Sequence, residues 1–297
     1  MKQIEVSGVS KRFILGCWRL NEWGYSASKL NQYIQQVIEL GINHFDHADI
    51  YGGYSCEELF GEALKLTPEL RQKIKLTSKC GIKLESAKYP QHTQHIYDTS
   101  AKHIVAAAER SLTNLKTSYL DLLLIHRPDP LLDAAEVAEA FGTLKKAGKV
   151  LNFGVSNFSP IQFDLLQSYI HIPLQTNQIE ASVLCHENFA NGNFDHLQLK
   201  RVTPQIWSPL AGGRVLVPTN ETEQRVFTTL TQLSNKYAVE ANLIALAWLL
   251  KLPSNPQILL GSGKLSRVAH STQSLALELS RDDWFKLWTS FTGHDIA

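Results

Sequence analysis

Cysteine is scarce in this chain of 297 residues. Cys17, Cys56, Cys80 and Cys185 lie far apart and include no C-x-x-C pair, which excludes a disulfide framework of the small secreted kind. Net charge is almost absent as well, +1 from 29 basic and 28 acidic residues, so no bulk nucleic-acid or anionic-membrane surface is implied. No apolar run approaches the roughly 18 residues of a membrane span, and the opening MKQIEVSGVSKRF has no apolar centre of signal-peptide length. A cytoplasmic protein with reduced thiols is the expectation. A glycine-rich phosphate loop is missing too. An open doubly wound sheet would carry G-x-G-x-x-G after its first strand, but the first strand-like run continues as LGCWRLNEWG. Any dinucleotide must be held some other way.

What is present is alternation. Apolar residues make up 44% and charged residues 19%, enough to bury a large core. Strand-like runs occur at 12–18, 42–48, 74–80, 120–126, 150–156, 174–181, 204–210 and 257–263, with helical patterns between most of them. Leu30, Tyr33, Ile34, Val37 and Ile38 fall at helical spacing and Gly41 supplies a stop. Ile104, Ala108, Leu112 and Leu115 form a second stripe. Ser55-x-x-Glu58 reads as a capping box, Asp133-x-x-Glu136 as a helix start, and Ser159-Pro160 as N-cap plus first helical residue. Eight strands alternating with helices predict a parallel sheet, and closure into a (β/α)8 TIM barrel is its simplest form. No linker composition divides the chain, so residues 1–297 read as a single domain. An N-terminal β-hairpin turning near Gly8 is expected to plug the barrel. Two stretches, 82–98 and 185–196, read as irregular loops over the mouth. Trp284, Trp288 and Phe291 recur at i, i+4 and i+7, which favours a packed helix face; the tail after Gly293 is expected near the mouth.

Polar groups end three of these runs. HFDHADIYGG carries Asp46 and Tyr51, IKLTSKCG carries Lys79, and LDLLLIHRP carries His126. Strand ends of a (β/α)8 barrel open into one shared mouth where chemistry is carried. An acid, a phenol, an amine and an imidazole converging there make a proton-transfer site. A phenol with a pKa near 10 is a poor acid, and a nearby cation, Lys79, is expected to lower that value. Asp46 would keep Lys79 charged, and His126 could hydrogen-bond an oxygen on which charge develops. His44, His47 and Asp49 raise the question of a metal, but strand alternation sends His44 and Asp46 to one face and His47 to the other, so no metal site is expected.

The chain resembles the aldo-keto reductases over nearly its whole length, and within them the bacterial oxidoreductases. The resemblance rests on FDHADIYGGYSCEELFGEAL, TSKCG, DLLLIHRPDP, GKVLNFGVSNFSP, TNQIEAS, WSPLAGG and LLGSGKLSRV in that order. It implies NADPH-dependent reduction of an aldehyde or ketone to an alcohol, with Tyr51 as proton donor assisted by Lys79, Asp46 and His126. It further implies that Ser156, Asn157 and Gln178 hold the nicotinamide amide and that Trp207 stacks on the ring. Ser208, Pro209, Leu210 and Gly212 would follow the pyrophosphate, where small residues permit close approach. Ser262, Lys264 and Arg267 would surround the adenosine ribose and a 2′-phosphate, a cation pair that suits NADPH. Ser271 stands near the adenine where many relatives have Asn, His270 replaces the usual acid before it, and Gly261 stands where many carry lysine, a charge Lys264 would supply.

Trp18, Trp23 and Tyr54, with His126, are the candidate substrate lining, an aromatic wall for an apolar or aromatic carbonyl. The expected partner is a small-molecule carbonyl, and the expected state a monomer or weak homo-oligomer. Two other functions fit part of the pattern. A Schiff-base aldolase would use Lys79 as nucleophile but leaves Ser156, Asn157, Gln178 and Arg267 unexplained. An NADPH-sensing regulatory barrel would need none of the catalytic groups that the chain retains.

Overall fold

The computed structural model describes the backbone of residues 6–297 and the side chains of residues 8–297. Every apolar run read from the sequence becomes a strand, and each strand is shorter than its run. The strands are β1 (Phe13–Gly16), β2 (His44–Asp46), β3 (Lys75–Cys80), β4 (Ile82–Lys83), β5 (Ile96–Tyr97), β6 (Leu122–Ile125), β7 (Phe153–Ser156), β8 (Leu174–Glu180), β9 (Gln205–Trp207) and β10 (Gln257–Leu260). Eight of them close a barrel in the order β1-β10-β9-β8-β7-β6-β3-β2. Connections of helix length join successive barrel strands, the (β/α)8 TIM-barrel arrangement. The chain divides into two compact units. One comprises Ile14–Gln178 with Gly261–Leu265; the other comprises the described part of Met1–Phe13 with Ile179–Leu260 and Ser266–Ala297.

In the first unit, parallel pairing runs from β1 through β2, β3, β6 and β7 to β8. Their apolar side chains are almost wholly buried: Ile14, Phe45, Leu76, Leu123, Leu124 and Val155 are 0% exposed. Burial of such side chains contributes about 1.5–3 kcal/mol each. The helix Ala27–Glu39 starts where Ser26 accepts from the Lys29 amide, buries Leu30, Tyr33, Ile34 and Val37, and stops before Gly41 at φ 88°. Ser159 and Gln162 form a reciprocal capping box at the helix Pro160–Tyr169.

The box expected at Ser55 and Glu58 does not form. Gly52 and Gly53 adopt left-handed conformations, φ 61° and 62°, so the chain enters the helix Cys56–Leu64 from a tight turn and not from an extended residue. Ser55 is itself near helical and its hydroxyl donates to the Gly52 carbonyl at 2.7 Å. Glu58 instead pairs with Lys88 at 2.9 Å. The stretch 82–98, expected to be irregular, is closed at its base by the antiparallel ribbon β4–β5, with Ile82 opposite Tyr97. Tyr54 fastens it: its hydroxyl accepts from the Leu84 amide at 2.7 Å, and Lys88 donates to the Tyr54 carbonyl at 3.0 Å.

In the second unit, Val6–Arg12 is a helix, which corrects the expected hairpin; residues 1–5 lie outside the described residues. Gly8 lacks the positive φ that a tight hairpin turn needs. Lys11 and Arg12 occupy the last turn, where the helix dipole favours cations, and Arg12 donates to the carbonyls of Leu250 and Pro256 at 2.7 and 3.1 Å. The stretch 185–196 is also more regular than expected, forming the helix Glu187–Ala190 and opening the helix Asn193–Lys200. Trp284 of the helix Arg281–Thr292 stacks on Trp248 at 4.7 Å, and each indole N–H donates to the other's carbonyl. Trp288 and Phe291 enclose His186, at 4.4 and 4.2 Å between ring centres. The aromatic stripe is therefore a packing face, as its periodicity implied. Among the described residues no helix is long and apolar enough to cross a membrane.

Candidate active site

Parallel register sets the polar groups side by side in the first unit. Asp46 ends β2 opposite Gly16 of β1 and Thr77 of β3, and Lys79 lies opposite Leu124 of β6. His126 follows β6, and its amide continues the ladder by donating to the Cys80 carbonyl at 2.9 Å. Tyr51 is not on a strand. Its amide donates to the Ala48 carbonyl, and the left-handed pair Gly52-Gly53 turns the chain immediately after it. A side chain at Gly52 would lie 2.7 Å from both Cys56 Sγ and Ser55 Oγ, so the turn requires glycine twice over.

Lys79 is 0% exposed and Asp46 1%. The Lys79 ammonium donates to Asp46 Oδ2 at 2.6 Å, to the His47 carbonyl at 2.9 Å and to the Tyr51 hydroxyl at 3.0 Å. An ammonium has three N–H groups, and all three are engaged. The other Asp46 oxygen, Oδ1, accepts from Gln178 Nε2 at 2.8 Å. The Tyr51 ring meets the His126 imidazole edge-on at 5.8 Å.

The electrostatics follow from this packing. Burial opposes the charge on Lys79, but Asp46 and Tyr51 outweigh it and its pKa rises. Tyr51 differs from the expectation. Burial is the largest influence and raises its pKa; Lys79 pulls the other way without prevailing, and Asp46 adds to the rise. The phenol therefore stays protonated at neutral pH. Burial, then the charges of Lys79 and Arg127, push His126 well below the ordinary imidazole range, so it is neutral, and its Nδ1 has no hydrogen-bond partner.

Ser156 and Gln178 face each other across β7 and β8. The Ser156 hydroxyl and the Asn157 amide both donate to the Gln178 carbonyl, at 2.9 and 3.0 Å, and Asn157 Nδ2 donates to Ser156 Oγ at 2.8 Å. Asn157 has φ 61°, an uncommon backbone state for a residue with a side chain. Backbone strain of this kind clusters at functional sites.

The segment 262–264 is clamped from beneath. The hydroxyls of Tyr33 and Tyr25 donate to the carbonyls of Ser262 and Gly263, each at 2.5 Å, and the Lys264 amide donates to Ser262 Oγ at 3.1 Å. Trp23 packs edge-on to both tyrosines, at 5.4 and 6.1 Å, and its ring lies where a Gly263 side chain would start, 2.6 Å away. Lys264 itself is exposed. Of the candidate substrate residues, Trp18 is 61% exposed with the Arg19 guanidinium 5.5 Å from its ring centre, whereas Tyr54 is 3% exposed and committed to the 82–98 loop.

In the second unit, Trp207 ends β9 and Ser208 follows at φ 51°, then Pro209 and Leu210 lead to a 3-10 turn with Ala211 at φ 48° and Gly212 at φ 68°. Arg267 is exposed on the helix Leu265–Thr272. Ser271 is buried, with its hydroxyl donating to the Arg267 carbonyl at 2.9 Å.

Sequence reasoning weighed Asp49, His44 and His47 only as metal candidates, and it missed Glu57 and the Gln178–Asp46 bond. Asp49 is buried, and burial, then Glu57, hold its pKa well above the usual range. Glu57 is buried behind β3 and accepts from Ser78 Oγ at 2.6 Å. The Gln178–Asp46 bond spans 132 positions, and nothing local in the sequence signals it. His44 bonds Thr77 Oγ1 at 2.7 Å while the His47 ring packs on Phe60 at 4.5 Å. Among the described residues no group of three or more His, Cys, Asp or Glu side chains is arranged to hold a metal ion.

Comparison with known proteins identifies the family. Residues 12–289 match the Aldo/keto reductase family. The chain is 48% identical to the uncharacterized oxidoreductase YcsN of Bacillus subtilis, over 96% of this chain and 95% of that one. It is 39% identical to a 6-dehydroglucose reductase of Agrobacterium fabrum, over 96% of each. The fold of aldo-keto reductase AKR11C1 from Bacillus halodurans, in its holo form, superposes with a TM-score of 0.78 at 24% identity, covering 94% of this chain and 91% of that one. With a family match over residues 12–289 and likeness to these relatives along nearly its whole length, this chain belongs to the aldo/keto reductase family of oxidoreductases.

Proposed function

We propose that the protein reduces an aldehyde or ketone to an alcohol with NADPH, using Tyr51 as proton donor. One observation carries the reading: a buried, fully hydrogen-bonded Lys79 ammonium lies 3.0 Å from the Tyr51 hydroxyl. NADPH, when bound, supplies the hydride. The protein must then stabilise and protonate the oxygen. Lys79 favours the phenolate that Tyr51 becomes when its proton leaves, so the cation acts mainly in the transition state. Asp46 keeps Lys79 charged and aimed. His126, held neutral, offers an N–H to the same oxygen.

On the motifs that carry the resemblance, Ser156, Asn157 and Gln178 are assigned to the nicotinamide amide and Ser262, Lys264 and Arg267 to the ribose and 2′-phosphate. Trp207, Ser208, Pro209, Leu210, Gly212 and Ser271 are assigned to the remaining cofactor contacts. The Tyr25–Tyr33 clamp supports the assignment of 262–264, because a phosphate site needs a fixed backbone. Trp18 and Trp23 remain with the substrate end of the proposal, while Tyr54 is assigned to loop support. The name of the Agrobacterium relative makes a sugar carbonyl a natural first substrate to try. The whole chain is taken as one reductase domain.

A Schiff-base aldolase is disfavoured. Its lysine must lose a proton and offer a lone pair, but Lys79 is held as a cation by three acceptors. The test is titration with NADPH and NADH, followed through tryptophan quenching, and then carbonyl-dependent oxidation of NADPH. Selective NADPH binding with carbonyl turnover is expected. Binding of neither cofactor would overturn the reading.

A further inference from the structure

Asp46 has two carboxylate oxygens and two partners on opposite sides. Oδ2 accepts from the Lys79 ammonium at 2.6 Å and Oδ1 from Gln178 Nε2 at 2.8 Å. The carboxylate is thus fixed at both ends, where a single ion pair would leave it free to rotate about its Cβ–Cγ bond. Gln178 is a rigid anchor. It is 2% exposed, and its main-chain carbonyl accepts from both the Ser156 hydroxyl and the Asn157 main-chain amide. Through Asp46 it therefore sets where the Lys79 ammonium points, and the third N–H of that ammonium is the one on Tyr51 at 3.0 Å.

We propose that Gln178 is a positioning residue for proton transfer, acting on Tyr51 through Asp46 and Lys79, and that it couples docking of the cofactor to the proton donor. The inference rests on the reductase reading above. The side-chain nitrogen of Gln178 is given to Asp46, and the motif assigns the same side chain to the nicotinamide amide. One side chain then bridges the cofactor and the Asp46–Lys79–Tyr51 chain. Coupling between two bound groups is reciprocal: what disturbs Asp46 weakens cofactor binding, and the cofactor steadies Asp46.

The neighbours make a clean test possible. Around this chain lie Lys79 and Tyr51 with raised pKa values, Cys17 raised well above the thiol range, His44 and His47 lowered to about 3, and His126 lowered well below the imidazole range. None of these changes charge near neutrality. A new carboxyl at position 178 would be the group that does. When protonated it donates to Asp46 Oδ1 as the amide does; when ionised it sets a like charge against Asp46.

Gln178→Glu and Gln178→Met should be measured from about pH 5.5 to about pH 9, each profile taken as a ratio to wild type so that ionisation of the NADP+ 2′-phosphate cancels. Two quantities are read: NADP+ affinity by tryptophan quenching, and turnover of p-nitrobenzaldehyde with NADPH. Gln178→Glu should lose turnover by about tenfold or more at the alkaline end, part of the ~10²–10⁴-fold that positioned proton transfer supplies, and regain it on acidification, with NADP+ affinity following the same curve. Gln178→Met, which cannot donate at any pH, should be low throughout with no slope. If both variants give equal, flat profiles while wild type binds and reduces, Gln178 merely packs and the proposal alone is overturned. If wild type neither binds NADP+ nor reduces the aldehyde, the reductase reading falls and the proposal with it.

Discussion

Lys79 and Asp46 form an ion pair of 2.6 Å from which water is excluded, their side chains 0% and 2% exposed. Such a pair is costly to break on one side only, because the remaining charge is stranded; removing one partner typically destabilises by about 3–5 kcal/mol. Asp46→Asn should therefore lower the Tm by several degrees as well as abolish turnover. Asp46→Asn with Lys79→Met together should recover part of the lost stability and none of the activity. A double variant no more stable than the single one would mean that the two charges do not compensate each other. Thermal melts of wild type, Asp46→Asn and the double variant decide it.

The same pair bears on nucleophilicity. Lys79 is a locked cation, so borohydride in the presence of a carbonyl substrate should leave it unmodified. A mass increase on the peptide containing Lys79 would restore the aldolase reading.

Gly263→Ala places a methyl group 2.6 Å from the Trp23 ring, too close to be accommodated without movement. The 262–264 segment must shift, and Tyr25 and Tyr33 lose their carbonyl partners. NADPH affinity should fall about tenfold or more while NADH affinity changes less, since a charge-assisted phosphate contact is worth more than a neutral one. Equal loss for both cofactors, measured by fluorescence titration, would remove the 2′-phosphate from this segment.

Acid stability has a definite sign. His44 and His47 are lowered to about 3 and His186 to about 4, each chiefly by burial. The unfolded chain, with imidazoles near 6.5, binds more protons than the folded one between those values. Stability is therefore fullest above about pH 6.5 and declines as pH falls toward 4. His186→Phe keeps the stacking on Trp288 but removes one titrating ring. Its Tm should fall less than that of wild type between pH 7 and pH 4.5, about one buried imidazole's share of the slope. An unchanged slope would place the acid sensitivity elsewhere.

Much of this architecture was legible because its signals are local. The β-branched and leucine runs announced all eight barrel strands, and Asp133 and Ser159 each accept the helix-start bond their positions implied. Where the reading failed, a neighbour intervened. Ser55 looked like an N-cap, but the left-handed Gly52-Gly53 turn took its hydroxyl. Gly8 looked like a hairpin turn, but Arg12 anchors that segment as a helix. At the candidate site the residue types were legible and their energetics were not. Lys79 was expected to lower the Tyr51 pKa, and it does pull that way, yet burial prevails, a quantity no spacing reveals. The Asp46–Gln178 bond and the Trp23–Gly263 contact join residues more than a hundred positions apart, beyond any local pattern.

Tyr51→Phe tests the central claim most directly. The hydroxyl that would be removed is the one that Lys79 addresses, while the ring that meets His126 is kept. NADPH binding by tryptophan quenching and carbonyl-dependent NADPH oxidation should be measured on the same preparation. The account predicts cofactor affinity near that of wild type, with turnover reduced by about 10²-fold or more. Normal turnover in Tyr51→Phe would contradict it and move the proton donor to another group.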